Sequence, residues 1–346
     1  MTKLINKYQN TLSIIKKGNK MMQIGDSKVA IDAIQKYQNI IIFHHIRPDG
    51  DCLGSQFGLA ELIKTNFPDK TVYTVGNNQN VYNFMNYTFD DPNTINYENS
   101  LGIVVDASSG DRIQNSEILY QNKTTAKLRI DHHPNDADIM YEYNYIDEKF
   151  VAAAEMVAQI AYDAKWKITQ KAAGHIYLGI FTDSGGFMRP DTSRRTHILV
   201  AYLLESGFDP QKIIKELNKR SLNDIKITGY ILSNFIKEQN VLYFIANKEF
   251  MQKFNLNVLQ ASDYVNVLAN IEDNHCWALF VEQEDNTIRA RIRSNGPSMI
   301  PVAKYFNGGG HDDRGGCILK FKNEIKDVIE KLNQAIITWK YEKGEL

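Results

Sequence analysis

Apolar residues along this chain gather into short continuous runs, and several runs end on a polar or charged cluster. Residues 35–43 pass from a helix end into Ile40-Ile41-Ile42-Phe43, an unalternating run that predicts a strand buried on both faces. The stretch "CLGSQFGLAELIK" that follows spaces Leu53, Phe57, Ala60 and Leu62/Ile63 at helical intervals. Strands are predicted again at 71–75, 101–106 and 126–133, then a helix at 151–164, and the stretch 172–187 starts as another. Strands alternating with helices predict an α/β fold whose sheet is largely parallel and covered on both faces. Ligands bind such sheets at the carboxyl ends of the strands.

Past residue 205 the texture changes. A connecting helix is expected within 216–240, then strands at 241–246, 277–283 and 287–293. A helix at 298–306, a glycine turn at 307–311 and a terminal helix at 324–340 complete a second, smaller α/β unit. The expected division is an N-terminal extension at 1–24, a larger domain at 25–215, the linker at 216–240 and the smaller domain at 241–346. The opening segment is basic, and its apolar stretch Thr11–Ile15 is too short for a signal peptide.

Composition narrows the function. A chain of 346 residues suits two domains. Forty Lys+Arg against 41 Asp+Glu leave a net charge of -1, which disfavours long nucleic acid as the main ligand but leaves room for a small nucleotide. The three cysteines, Cys52, Cys276 and Cys317, form neither a disulfide framework nor a CxxC pair, which suits a reducing cytoplasm. No apolar run approaches the ~18 residues of a membrane span.

The candidate chemistry sits where the strands end. His45-x-x-x-Asp49-x-Asp51 offers an imidazole and two carboxylates from a turn shaped by Pro48 and Gly50. Hard divalent cations favour carboxylates, and Mn²⁺ accepts imidazole as well. Adjacent strand residues face opposite sides, so His44 and His45 cannot both serve one site. The spacing to Asp49 selects His45 and leaves His44 packed or hydrogen-bonded. Taken alone, the segment reads equally well as a plain Asp-Gly-Asp turn, and Asp106 after "IVV" as a cap. Asp131-His132-His133 is harder to explain by packing, because buried polar groups need partners. Asp183, after another apolar run, can be turn chemistry at a helix end.

Together, the order HxxxDxD, D, DHH, D resembles the DHH phosphoesterase superfamily, over most of the chain from about residue 25. In the second unit, Arg291-x-Arg293-Ser294 and "NGGGHDDRGG" (307–316) resemble the RS and GGGH signatures of the associated DHHA1 domain. The compact layout is similar to that of the nanoRNase and pAp-phosphatase group. Two positions depart from the pattern. Arg314 stands where relatives usually place a small residue, and Cys52 where alanine is common.

The resemblance implies two divalent ions, Mn²⁺ first with Mg²⁺ or Co²⁺ as alternatives, roughly 3.5–4 Å apart. His45 and Asp49 would hold one ion; Asp51, His132 and Asp183 the other; Asp106 would bridge them. Asp131 would support a neighbouring histidine. His133 would contact the scissile phosphate or assist proton transfer. Arg289, Arg291 and Arg293 alternate with Ala290 and Ile292, so a strand puts all three on one face, either solvated or binding phosphate. Arg291, Arg293, Ser294, Gly308, Gly309, Gly310 and His311 are the expected substrate contacts, in a cleft between the domains.

The expected activity is hydrolysis of nanoRNA and linear dinucleotides such as pApA to nucleoside monophosphates. Dephosphorylation of pAp and cleavage of cyclic dinucleotides are further candidates. The alternatives are an inorganic pyrophosphatase or exopolyphosphatase, and a non-catalytic nucleotide-binding regulator. The expected partner is a short oligonucleotide, with neither long nucleic acid nor a membrane; a homodimer is a candidate assembly.

Overall fold

The computed structural model describes residues 22–344, so the expectation for residues 1–21 lies outside the described residues. The chain divides between Asn218 and Lys219 into two units.

The first unit is built on one six-stranded sheet: β1 (Gln23–Ile24), β2 (Asn39–Phe43), β3 (Thr71–Thr74), β4 (Ser100–Val105), β5 (Ala126–Asp131) and β6 (Tyr143–Asp147). Their order is β1-β6-β5-β4-β2-β3, with β2 to β6 parallel and the short β1 antiparallel at the edge. Thus Gln23 and Ile24, read from sequence as part of an extension, pair with β6. β2, β4 and β5 are buried at every position, as strands covered on both faces must be.

The chain runs from β2 outward to β3 and then returns across β2 to β4. The strand order therefore reverses between β2 and β4, the kind of crevice where α/β sheets bind ligands. Phe43 lies in register with Val104, and Val105 with Ile130. The residues that follow these strands emerge side by side.

Two helices fix what flanks this crevice. The helix Gly50–Asn66 is buried along most of its length and packs on the helix Gln170–Asp183. Small residues allow the approach: a Cβ on Gly54 would lie 2.5 Å from the His175 carbonyl oxygen. The second helix stops at Asp183. Gly185 and Gly186 take left-handed φ values of +59° and +68°, which end a helix.

The second unit carries β7 (Ile236–Glu238), β8 (Val241–Ala246), β9 (Cys276–Glu282), β10 (Ile288–Ser294), β11 (Gly309–Gly310) and β12 (Arg314–Leu319). They form a sheet in the order β11-β12-β10-β9-β8-β7, in which only β8 and β9 run parallel. The helix Glu324–Lys343 covers one face, over Ile288, Ala290 and Ile292. On the other face, a core over β8 and β9 includes Ile227 and Ile231. The helix Leu222–Asn234, expected as part of a linker, is therefore an integral part of this unit. β12 was not foreseen, because Gly315 and Gly316 dilute its strand pattern.

Candidate metal centre

Asp49 caps the helix Gly50–Asn66: its Oδ1 accepts from the Asp51 and Cys52 amides at 3.1 and 3.0 Å. Its Oδ2 lies 3.5 Å from His45 Nε2. The His45 ring is oriented from behind, with Nδ1 2.8 Å from the Ile46 carbonyl oxygen. His44 lies fully buried, with Nδ1 against the His45 carbonyl oxygen at 2.9 Å and its ring near Phe89. Burial pushes His44 down to about 4.

Asp51 is held across the fold. Its two oxygens accept from the Ala153 and Ala154 amides at 2.7 and 2.8 Å. These are the first amides of the helix Ala153–Ala164, whose own N-cap residue, Ala152, has no capping side chain.

Asp106 follows β4 with φ at +56°, a left-handed backbone that a non-glycine residue seldom adopts. Its Oδ2 is 3.3 Å from His45 Nε2, and its Oδ1 is 3.4 Å from both His132 Nε2 and His133 Nδ1. His132 Nε2 also faces Asp183 Oδ2 at 3.4 Å and Asp51 Oδ2 at 3.8 Å, while its Nδ1 contacts the Phe150 carbonyl oxygen. Six of the expected residues, His45, Asp49, Asp51, Asp106, His132 and Asp183, thus converge.

Asp131 and His133 form the wall beside them. Asp131 Oδ1 contacts the His133 amide and ring Nδ1, each at 3.0 Å. Asp131 itself is fully buried and ion-paired to Arg129. Asp131 touches no open space, and its contacts with His133 are those of a group that positions the histidine.

The charges are unequal. Burial opposes charge on the imidazoles, but neighbouring carboxylates outweigh it. His132 is pushed up to about 10 and His133 to about 9, each with Asp106 as the main partner; Asp106 and Asp49 raise His45. Burial, reinforced by Asp106, raises Asp51 well above the ordinary carboxylate range. Burial also disfavours the Asp106 carboxylate, yet the three histidines hold it well below that range. Among the described residues no lysine or arginine pairs with Asp49, Asp51 or Asp106. Asp106 Oδ1 is buried and makes no well-formed hydrogen bond. Clustered carboxylate oxygens and imidazole nitrogens with an orphaned central oxygen fit a divalent cation. Cys52 lies within the reach of His45 and Asp49, but burial pushes its thiol up to about 12, and its sulfur accepts the Asp49 amide.

In the second unit a cavity of about 630 Å³ is lined by Arg291, Arg293, Gly308, Gly309, Gly310 and His311, among others. Ser294, expected beside them, does not line it. It shares the buried face of Ile288, Ala290 and Ile292, and its hydroxyl accepts the Gly296 amide. A Cβ on Gly308 would lie 2.1 Å from the Gly316 carbonyl oxygen, and one on Gly310 2.2 Å from that of Arg314. Those two glycines serve the β11–β12 approach, whereas Gly309 faces open space.

Sequence reasoning missed Arg129 and Arg189. Arg129 precedes Asp131 by two residues on a strand and so shares its face, a signal that was present. Arg189 contacts Asp183 Oδ1 at 3.0 Å, across a turn that the sequence does not specify.

Fold and site together define a chain of the DHH family: the model of the DHH family, N-terminal domain, matches residues 39–180, and that of the DHHA1 domain matches residues 238–338. Among its relatives is the "bifunctional oligoribonuclease and PAP phosphatase NrnA" of Mycoplasma pneumoniae, 43% identical over 90% of this chain and 97% of that protein. The Bacillus subtilis protein of the same name is 33% identical over 87% of this chain and 96% of its own. The fold also matches the crystal structure of an exopolyphosphatase-related protein from Bacteroides fragilis, with a TM-score of 0.76, 23% identity and coverage of 91% and 96%.

Proposed function

We propose that this chain is a metal-dependent phosphodiesterase that hydrolyses short oligonucleotides and linear dinucleotides such as pApA, and that removes the 3′-phosphate of pAp. The observation that carries this reading is Asp106, one carboxylate with an oxygen toward His45 and the other toward His132. The names of relatives that align along nearly their whole length point the same way. In this reading His45 and Asp49 would hold one divalent ion, Asp51, His132 and Asp183 would hold a second, and Asp106 would be available to both. Mn²⁺ suits the mixed oxygen and nitrogen donors. When bound, such ions neutralise phosphate charge and acidify water.

The chain's own groups do the rest. As an imidazolium, His133 donates from Nδ1 to Asp131 Oδ1, which leaves the Nε2 proton to meet a phosphate oxygen or to pass to the leaving oxygen as water displaces it and the P–O ester bond breaks. Asp131 fixes the orientation of that ring, and Arg129 fixes Asp131. In the second unit, Arg291, Arg293, Gly309 and His311 bind a phosphate or nucleotide remote from the scissile bond. No described helix is long and apolar enough to cross a membrane. The three free cysteines suit a reducing compartment, and we infer the cytoplasm.

The test is metal-stripped protein restored with Mn²⁺ and assayed on pApA, longer nanoRNA, pAp, cyclic di-AMP and pyrophosphate. Turnover of the linear dinucleotide and of pAp is expected. Pyrophosphate turned over faster than either would overturn the reading.

A further inference from the structure

Asp183 offers its two carboxylate oxygens to different partners. Oδ2 faces His132 Nε2 at 3.4 Å, and Oδ1 accepts from Arg189 Nη1 at 3.0 Å. Among the described residues Arg189 is the sole lysine or arginine ion-paired to any of the residues that converge on the candidate centre. Arg129, the other cation paired nearby, is buried and held by Asp131.

The chain returns sharply to place Arg189 there. Gly185, Gly186 and Phe187 take successive left-handed φ values of +59°, +68° and +67°. That backbone suits glycine but strains a bulky residue such as Phe187, and strain of this kind collects at functional sites. The Phe187 ring packs against Tyr177 and Phe181, and the Arg189 amide donates to the Ser184 carbonyl oxygen at 3.0 Å.

A salt bridge alone does not account for the contacts. A guanidinium that serves only a carboxylate commonly meets both oxygens with two nitrogens. Here one nitrogen, Nη1, donates to the Asp183 side chain at 3.0 Å and to the Asp183 carbonyl oxygen at 2.6 Å. Nε and Nη2 take no protein partner among the described residues, and neither is shut away from solvent. Such free donors match the oxygens of a phosphate.

We propose that Arg189 binds a non-bridging oxygen of the scissile phosphate through this free edge while Nη1 stays on Asp183. The proposal rests on the phosphodiesterase reading above. As the water oxygen forms the new P–O bond, the ester P–O bond breaks, and its electron pair leaves on the departing oxygen, which takes the His133 proton. Negative charge on the phosphate oxygens is stabilised by a cation already fixed in place. Arg189 keeps its own protons throughout.

The test is Arg189→Lys in the full chain, with Arg189→Gln beside it. Lysine keeps a charge for Asp183 but lacks the second edge. The readouts are Mn²⁺ affinity by calorimetric titration, and kcat at saturating Mn²⁺ on pApA and on a small aryl phosphodiester. Arg189→Lys should bind Mn²⁺ much as the wild type does, while kcat falls about 10- to 150-fold, the value of one charge-assisted hydrogen bond. The loss should be alike on the two substrates, because both present a scissile phosphate. Arg189→Gln should lose at least as much kcat. A residue that merely steadied Asp183 would give the opposite split: weakened Mn²⁺ binding, with wild-type kcat once Mn²⁺ saturates. That split, or a loss confined to pApA, would overturn the proposal. The side chain is partly exposed, so the lysine variant should melt with the wild type; a variant that no longer folds would mark Arg189 as structural and overturn the proposal too. Undiminished variants of an active wild type would remove Arg189 alone. A wild type that cleaves neither substrate would overturn the phosphodiesterase reading with it.

Discussion

Arg129 donates from Nε and Nη2 to Asp131 Oδ2 at 3.0 and 2.6 Å, and both side chains are almost wholly inaccessible to solvent. The same guanidinium reaches the carbonyl oxygens of His133 and Asn135, so one side chain ties the turn after β5 into a single conformation. Removing one member of a buried pair strands the other charge. Arg129→Met should therefore cost about 3–5 kcal/mol in urea unfolding. It should also lower kcat more than it raises KM, because His133 loses its fixed orientation. A variant as stable as the wild type would show that the pair does not hold the turn.

Asp106 stands between the two halves of the candidate centre. Asp106→Ala should reduce turnover on every substrate by more than ~10²-fold, the most that loss of a supporting group produces at a metal site. It should also weaken Mn²⁺ binding in a calorimetric titration. Near-normal Mn²⁺-dependent rates in this variant would remove Asp106 from the shared position.

The adjacent histidines should separate cleanly. His45 faces Asp49 and Asp106, whereas His44 is packed behind them. His45→Ala should lose metal affinity with little change in melting temperature of the metal-free protein. His44→Ala empties a buried site and should cost about 2–4 kcal/mol of stability while retaining much of the metal affinity. Equal loss of metal binding in the two variants contradicts the assignment.

His175 supplies a pH dependence unconnected with the metal site. Its ring packs against both Phe57 and Tyr87, and burial, helped by Lys171, pushes it down to about 4. Between its unfolded value near 6.5 and that value, the unfolded chain binds a proton that the folded chain excludes. The stabilising contribution is complete above about pH 6.5 and is lost as the pH falls toward 4. His175→Phe removes the titrating group. The stability lost between pH 7 and pH 4.5 should shrink by about 2–3 kcal/mol relative to wild type, read from urea unfolding at both values. Parallel losses in the two proteins would show that His175 is not buried neutral.

Much of the first unit is legible in the amino-acid order. Unalternating runs such as Ile40–Phe43 and Leu101–Val105 read as strands buried on both faces, because a parallel sheet leaves neither face to water. Strand alternation separates His45 from His44, and it groups Arg289, Arg291 and Arg293. The same rule, carried one position further, would have sent Ser294 to the buried face.

The sequence by itself therefore determined the strand ends, the residue types gathered there and the family pattern they make, since these depend on periodicity and on local order along the chain. The tertiary structure decided what those residues touch. Asp51 is anchored by amides 102 and 103 residues away, and the reversal of strand order brings the ends of β2 and β4 together. Asp106 takes a left-handed backbone, and Gly308 and Gly310 answer to a neighbouring strand. Local periodicity carries no information about which distant segment lies alongside, because that is settled only when the whole core packs at once.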